Sequence, residues 1–391
     1  MASKVYHYRK DLISESQLSE LKKNTLEVEA MRTSKATEPK TFEAAMEKLD
    51  KLLCETGGKI YPKTFWSDNL EVLLVAAIIV IGVRTFFFQP FIIPTNSMYP
   101  TYNGMTYKLY ADDDKSPDGF ARRLFNKIQL GAKHKRLTAN NEGTLLIPLA
   151  GKNQKGNLVF WRKQVDEGRK WMFLPTVLNE CTFYVGDVVY TLRVPGDFDI
   201  DSLLQEAFGS NEVKIVPSSE SPTGFALDTG RYLEVGDPIL RFDINLGDAL
   251  FVDRISYHFR KPKVGDPIVF RTREISKELG DKYYIKRLAG TGGETLEIRD
   301  GALLVDGEPR DEVEAFVLNA EKTGEYEGYV NTGFLDKGLK WTIPENSFVA
   351  LGDNSDNSRD SRSWGFAPEK TVIGKAIFIY YPFTSHWGVA E

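Results

Sequence analysis

Histidine and cysteine are both scarce in this chain of 391 residues, with four of the first and two of the second. His7, His134, His258 and His386 are scattered without ligand spacing, so the sequence points to no metal and no cofactor. It also leaves few imidazoles to serve as a general base. Charge of one sign is not in excess either: a net charge of −5 suggests neither a nucleic-acid binder nor an acidic tail. Low-complexity tracts and solenoid periods are missing. The one long apolar run begins too far into the chain to be a secretory signal peptide.

That run extends from Leu70 to Phe88, interrupted only by Glu71, Arg84 and Thr85. As a helix it would be about 28 Å long at roughly 1.5 Å per residue, enough to cross a bilayer. A buried core helix is the competing reading, but the run is not amphipathic and no other segment is as continuously apolar. Lys51, Lys59 and Lys63 precede it, whereas no lysine or arginine lies between Phe86 and Tyr107. The N-terminus is therefore expected in the cytoplasm and the mass after the span outside it. Cys54 and Cys181 would then lie on opposite sides and cannot pair.

Residues 1–66 are rich in Glu, Lys and Ser and read as a polar extension without a core. An amphipathic helix is expected from Phe42 to Leu53, ending at Gly57-Gly58. Ser19 and Lys22 match an S-x-x-K pattern by chance, since the companion motifs of that chemistry are absent. Beyond the span the texture is β: short Val, Ile, Phe and Tyr runs punctuated by Gly-Asp turns. Val235–Leu240 and Val264–Val269 nearly repeat, which common turn chemistry explains. Helix is expected only in pieces, Phe120 to Gln129 and Ser202 to Phe208. Asp197, Asp199 and Asp201 mimic a calcium loop, but Ser202 and Phe208 stand where Gly and Glu belong, so a turn and helix cap are expected. The basic cluster Arg122, Arg123, Lys127, Lys133, Lys135 and Arg136 reads as a solvated face.

Six residues after the span comes Pro94-Thr95-Asn96-Ser97-Met98-Tyr99-Pro100, which sets one serine at the bilayer surface. A serine needs a base, and with histidine scarce the candidate is a lysine whose pKa burial lowers. Lys286 lies in Tyr283-Tyr284-Ile285-Lys286-Arg287-Leu288, whose alternation would point one lysine into an apolar interior. The third element, Gly352 to Gly365, is dense in Asp, Asn and Ser and closes with Trp364-Gly365, reading as a tightly wired turn against the core.

These elements, in this order behind an anchor, resemble bacterial type I signal peptidases, membrane-bound Ser/Lys proteases that remove signal peptides from exported proteins. The resemblance covers roughly residues 70–101 and 246–383 and includes Gly247–Arg254 and Gly265-Asp266. It implies a mainly β fold of antiparallel sheets, with Ser97 as nucleophile and Lys286 as general base. It further implies an oxyanion hole from the Ser97 N–H and the Thr95 hydroxyl, with Ser358 orienting the lysine and Asp360 paired with Arg362. Phe91, Ile93, Pro94, Met98, Val269, Tyr284 and Ile285 would line a groove selecting small residues, the A-x-A pattern. Preprotein signal peptides, the lipid bilayer and the secretion machinery are the implied partners, nucleic acid is not, and the implied location is the bacterial inner membrane.

Two departures stand out. Asn96 occupies a position where the family commonly has Gly, and residues 102–245 intervene where it usually has a few. The expected organisation is a cytoplasmic extension (1–66), a transmembrane helix (67–89), a catalytic domain (90–101 with 246–391) and an insert of mixed α and β and unassigned function (102–245). A Ser/Lys self-cleaving regulator, or a disabled protease fold used for binding, would be the alternatives; the anchor argues against the first, and the presence of both Ser97 and Lys286 against the second.

Overall fold

The computed structural model describes residues 1–34, 38–62, 64–112, 114, 119–153, 156–170, 174–209, 214–219 and 221–390. Lys63, used above to orient the span, lies outside them, as do short stretches of the insert. The chain forms two compact units, Met1–Val83 and Arg84–Glu391.

In the first unit three helices, α1 (Ala2–Arg9), α2 (Glu15–Thr33) and α3 (Pro39–Thr56), enclose a small core of Val5, Leu21, Leu49, Leu52 and Leu53. The expected amphipathic helix is α3, ending at Gly57. The expectation that this region has no core is corrected: a few widely spaced apolar residues on α1 and α2 meet the apolar stripe of α3. The start of α2 was legible, because Ser14 and Gln17 form a reciprocal capping box. Helix α4 (Phe65–Phe86) follows, and its window Asn69–Phe86 is apolar, long enough to cross a membrane and unburied. Lys4 reaches Glu71 on it at 2.6 Å. The helix stops two residues before the apolar run does. Phe88 instead opens a strand, because Pro90 has no N–H for a helical turn and the segment finds a partner in Ala249–Asp253.

In the second unit every strand pairing among the described residues is antiparallel. The main sheet runs Phe88–Ile92, Ala249–Asp253, Val372–Tyr381, Pro267–Arg271, Tyr283–Thr291, Ser347–Leu351 and Ala367–Pro368, with Gly388–Val389 beside Val372–Tyr381. One face covers a core of Ile93, Met98, Tyr102, Leu250, Val252, Val269 and Ile379. A four-stranded sheet containing Thr295–Arg299 and Ala302–Val305 stands over a second core.

Residues 102–245 build two further sheets around a core of their own, including Leu145, Phe160, Phe183, Leu203, Leu227 and Phe242. The chain leaves and re-enters at adjacent points: Asp248 N–H donates to the Asn103 carbonyl at 2.8 Å, and Asn103 N–H to Asp248 Oδ2 at 2.7 Å. A large insertion therefore disturbs little at the point where it enters. Helices occur at Phe120–Leu130 and Ile200–Phe208, close to expectation. Asp199 caps the second, accepting from Ser202 N–H at 3.1 Å, as the turn reading anticipated. Gly236 and Gly265, the glycines of the near-repeat, both sit at positive φ (100° and 89°), a turn requirement rather than a duplicated module.

Candidate active site

Ser97 lies in a single 3-10 turn, Asn96–Met98, directly after the Phe88–Ile92 strand. The turn is held from several sides. Ile93 N–H donates to the Asp248 carbonyl at 2.9 Å, and Met105 N–H to the Pro94 carbonyl at 3.2 Å. The Asn96 side chain, where the family pattern has Gly, accepts from Gly104 N–H at 2.8 Å and so closes the loop across eight residues. Behind it, Asp248 is fully buried and accepts from Asn103 N–H. His386 Nδ1 lies 3.0 Å from the same carboxylate, which holds the imidazole pKa above its ordinary value.

Lys286 sits on the Tyr283–Thr291 strand opposite Ile268. Its amine is buried and donates to Ser97 Oγ at 2.5 Å and to the Ile285 carbonyl at 3.0 Å. The Tyr284 ring centroid stands 5.5 Å from Nζ. Burial pushes the Lys286 pKa down to about 8; Asp360 and Asp353 pull it back up, and Arg362 opposes them. Desolvation wins because neither carboxylate touches the amine; each is engaged by its own arginine.

Those two carboxylates explain the Ser-rich turn. Asp360 and Arg362 form a fully buried pair at 2.7 Å. Arg362 also donates to the Val330 carbonyl at 3.1 Å, the Ser355 carbonyl at 2.7 Å and Ser355 Oγ. Asp360 accepts from Gly352 N–H at 3.0 Å. Arg287, next in sequence to the lysine, grips Asp353 in bidentate fashion at 2.9 and 2.7 Å, and Thr101 Oγ1 donates to Asp353 at 2.5 Å. The two walls of the site are joined directly where Asn354 N–H donates to the carbonyl of Ser97 at 3.2 Å.

A cleft of about 540 Å³ opens over the pair. Phe91, Ile93, Pro94, Thr95, Ser97, Val269, Tyr284, Ile285 and Lys286 line it, together with Ile92, Leu250, Lys282, Tyr283, Asn357, Arg359 and Asp197. A smaller hollow between Lys261 and Val372 contains neither Ser97 nor Lys286.

Residues 241–381 match the family described as signal peptidase, peptidase S26. A protein named signal peptidase I from Leptolyngbya laminosa is 32% identical over 158 residues, 39% of this chain and 68% of that protein. The chain belongs to the signal peptidase family. A probable thylakoidal processing peptidase 2 of Arabidopsis thaliana is 34% identical over 143 residues, 36% of this chain and 35% of that one. An inactive signal peptidase IA of Staphylococcus aureus (strain COL) is 32% identical over 146 residues, 37% of this chain and 75% of that one.

Measured against the signal peptidase pattern, the structure brings Ser97, Lys286, Thr95, Asp360, Arg362 and six of the seven expected groove residues together. Met98 is the exception, being fully buried in the core with Ile93 and Tyr102. Successive side chains of a 3-10 turn diverge by about 120°, so a turn that presents Ser97 to the cleft sends Met98 inward. Ser358 is also corrected. Its Oγ is buried against Gly352, where an added Cβ would stand 2.1 Å away, and has no hydrogen-bond partner among the described residues, so it makes no bond to Lys286. Sequence reasoning missed Ile92, Tyr283, Asn357 and Arg359, although each neighbours a motif residue. It also missed Asp197, an exposed insert residue read only as part of a turn, which nothing in the sequence ties to Ser97.

Two predictions follow from this packing. A Cβ on Gly104 would fall 2.2 Å from the Thr95 carbonyl carbon and 2.6 Å from Asn96 N. Gly104→Ala should thus displace the serine turn and lower Tm, at a cost of roughly 1–3 kcal/mol in line with overpacking; an unchanged melting curve would show that the loop yields freely. For Lys286, the folded state binds fewer protons than the unfolded chain between pH 8 and 10.5, so wild-type stability rises with pH across that window and the full penalty applies below it. The stability advantage of Lys286→Met over wild type should shrink by on the order of 3 kcal/mol on going from below pH 8 to above 10.5. Denaturant titrations of both proteins across this range measure it, and a pH-independent difference would refute a buried neutral amine.

Proposed function

We propose that this chain is a membrane-anchored type I signal peptidase using a Ser97/Lys286 dyad. The observation that carries the reading is the buried Lys286 amine, with its lowered pKa, 2.5 Å from Ser97 Oγ at the floor of a cleft. In the neutral form Lys286 takes the Oγ proton as the serine attacks the scissile carbonyl carbon. The Ser97 N–H and the Thr95 hydroxyl donate to the oxyanion that develops. As the C–N bond breaks, the lysine ammonium returns the proton to the leaving amine. A water, deprotonated by the same lysine, then hydrolyses the acyl-enzyme. This pairing supports the active reading over that of a disabled binding protein on the same fold.

The cleft suits an extended substrate. Among the described residues, Phe88–Ile92 pairs along one edge only, and Ser347–Leu351 pairs with the lysine strand only from Arg287 onward. Two strand edges beside the cleft are thus open to main-chain hydrogen bonds with a peptide. The apolar lining of Phe91, Ile93, Leu250, Val269 and Ile285 would accept small side chains such as those of A-x-A sites in preproteins. In this reading Asn69–Phe86 is the span, the N-terminus is cytoplasmic and the protease unit lies outside the bacterial inner membrane, where exported chains emerge from the secretion machinery.

Ser97→Ala, Lys286→Ala and Lys286→Arg should each cut preprotein cleavage in detergent by roughly 10⁴-fold or more, because nucleophile and base act as a unit. Thr95→Val should lose about 10²- to 10³-fold while Thr95→Ser retains activity. Turnover at the wild-type rate in either alanine variant would sink the assignment. A separate check is the pH profile: kcat/KM should rise about tenfold per unit on the acid side and level off near pH 8, as Lys286 loses its proton. His258→Gln should leave that limb in place; a limb that moves with the histidine would point to another base.

A further inference from the structure

The helix Phe120–Leu130 of the insert is amphipathic in the opposite sense from a helix that belongs to a core. Four of its large apolar residues are exposed: Phe120 is 81% exposed, Phe125 62%, Ile128 60% and Leu124 45%. None of its residues is buried. With successive residues about 100° apart, Phe120, Leu124, Ile128, Ala121 and Phe125 fall within an arc of about 140°. Asn126 lies nearly opposite the middle of that arc and faces the protein, donating to Asp243 at 3.4 Å. The helix is nonetheless firmly attached through the carbonyls of its last turn. Tyr381 O–H donates to the Lys127 carbonyl at 2.9 Å, Phe383 N–H to Gln129 at 3.0 Å and Leu246 N–H to Leu130 at 3.0 Å. Phe383, which these bonds place beside the helix, is itself 53% exposed.

Cations border the apolar arc on both sides. Arg122 lies beyond Phe125 on one flank, and Lys127 and Arg123 lie beyond Phe120 on the other; all three are exposed. Lys133 and Arg136, exposed on the following strand, add to the same sign. A large ring-bearing face turned to solvent and edged by lysine and arginine matches a surface that is apolar beneath and negatively charged at the level of the cations. An apolar protein groove alone would offer nothing to the exposed Arg122 and Lys127 that border the arc.

We propose that Phe120–Leu130 is an interfacial helix that lies in the surface of an anionic lipid bilayer, sinking Phe120, Leu124, Phe125 and Ile128 among the acyl chains while Arg122, Arg123 and Lys127 meet the headgroups. This goes beyond the anchor, and it assigns the insert a role: a second hold on the membrane, hydrogen-bonded to the end of the sheet that carries Lys286. The solvated-face reading of the basic cluster accounts for its charges but not for the phenylalanines beside them.

The test uses the full-length chain in Cys54→Ser background, reconstituted in phosphatidylcholine vesicles with or without phosphatidylglycerol, carrying one environment-sensitive fluorophore on a new cysteine. Labels at Phe125→Cys and, as an exposed control on the same insert, Val189→Cys are compared for quenching by nitroxide lipids and by aqueous iodide. The Phe125 label should be quenched by lipid about twofold or more above the Val189 label in anionic vesicles. Adding Arg122→Glu and Lys127→Glu, or omitting phosphatidylglycerol, should bring it towards the control. Equal behaviour of the two labels would overturn the proposal, and so would lipid-independent protection accompanied by energy transfer between labelled copies, which would assign the face to self-association. A label at Ile79→Cys reports the span separately: if it alone stays unquenched, the anchor reading fails while the signal at Phe125 still decides the helix.

Discussion

A primary amine held in an apolar interior, against a serine hydroxyl and bonded to neither of the carboxylates nearby, is the constraint around which the second unit is arranged. Lys286 could relieve its desolvation by pairing with Asp360 or Asp353, both close enough to raise its pKa. The fold prevents this by giving each carboxylate an arginine in bidentate contact. Arg362 and Arg287 thus serve less as sources of stability, since buried ion pairs often break even against apolar packing, than as means of keeping negative charge off the lysine. Removing Arg362 would leave the buried Asp360 unpaired near the amine and raise the Lys286 pKa.

The same pairs fix geometry. Asp360 accepts the Gly352 N–H, Arg362 ties the turn to Val330 and Ser355, and Asp353 reaches Thr101 just beyond the serine loop. The serine turn is gripped independently by Asp248, Asn96 and the Gly104 backbone. Ser97 and Lys286 therefore come from elements 189 residues apart in sequence, each braced on its own side and joined by Asn354 N–H to the Ser97 carbonyl. A 2.5 Å contact across such a separation requires that neither support give way.

The insert enters where the tightest part of that bracing lies, between Asn103 and Asp248, and leaves it intact because its two ends are hydrogen-bonded neighbours. It does not merely hang from the domain. Its Asp197 reaches the cleft wall, while its Phe120–Leu130 helix is pinned to the end of the main sheet at Tyr381 and Phe383. One segment thus supplies both a residue of the cleft lining and an exposed apolar helix face.

The sequence by itself was enough for whatever depends on local pattern. Nineteen nearly uninterrupted apolar residues can hardly be other than a span or a deeply buried helix, and the Tyr283–Leu288 alternation already turned Lys286 away from solvent. Dense Asp, Asn and Ser between Leu351 and Trp364 announced a wired turn, and Asp199 announced a cap. Tertiary structure decided what depends on which surfaces meet. It buried Met98, whose position beside Ser97 suggested a groove residue. It left Ser358 without the lysine as partner, brought Asp197 to a cleft formed by residues about a hundred positions away on either side, and assembled a core from sparse apolar residues on α1 and α2. It also turned the apolar face of Phe120–Leu130 outward. The periodicity of a helix states that one face is apolar, but only the packing around it determines whether that face meets protein, water or lipid.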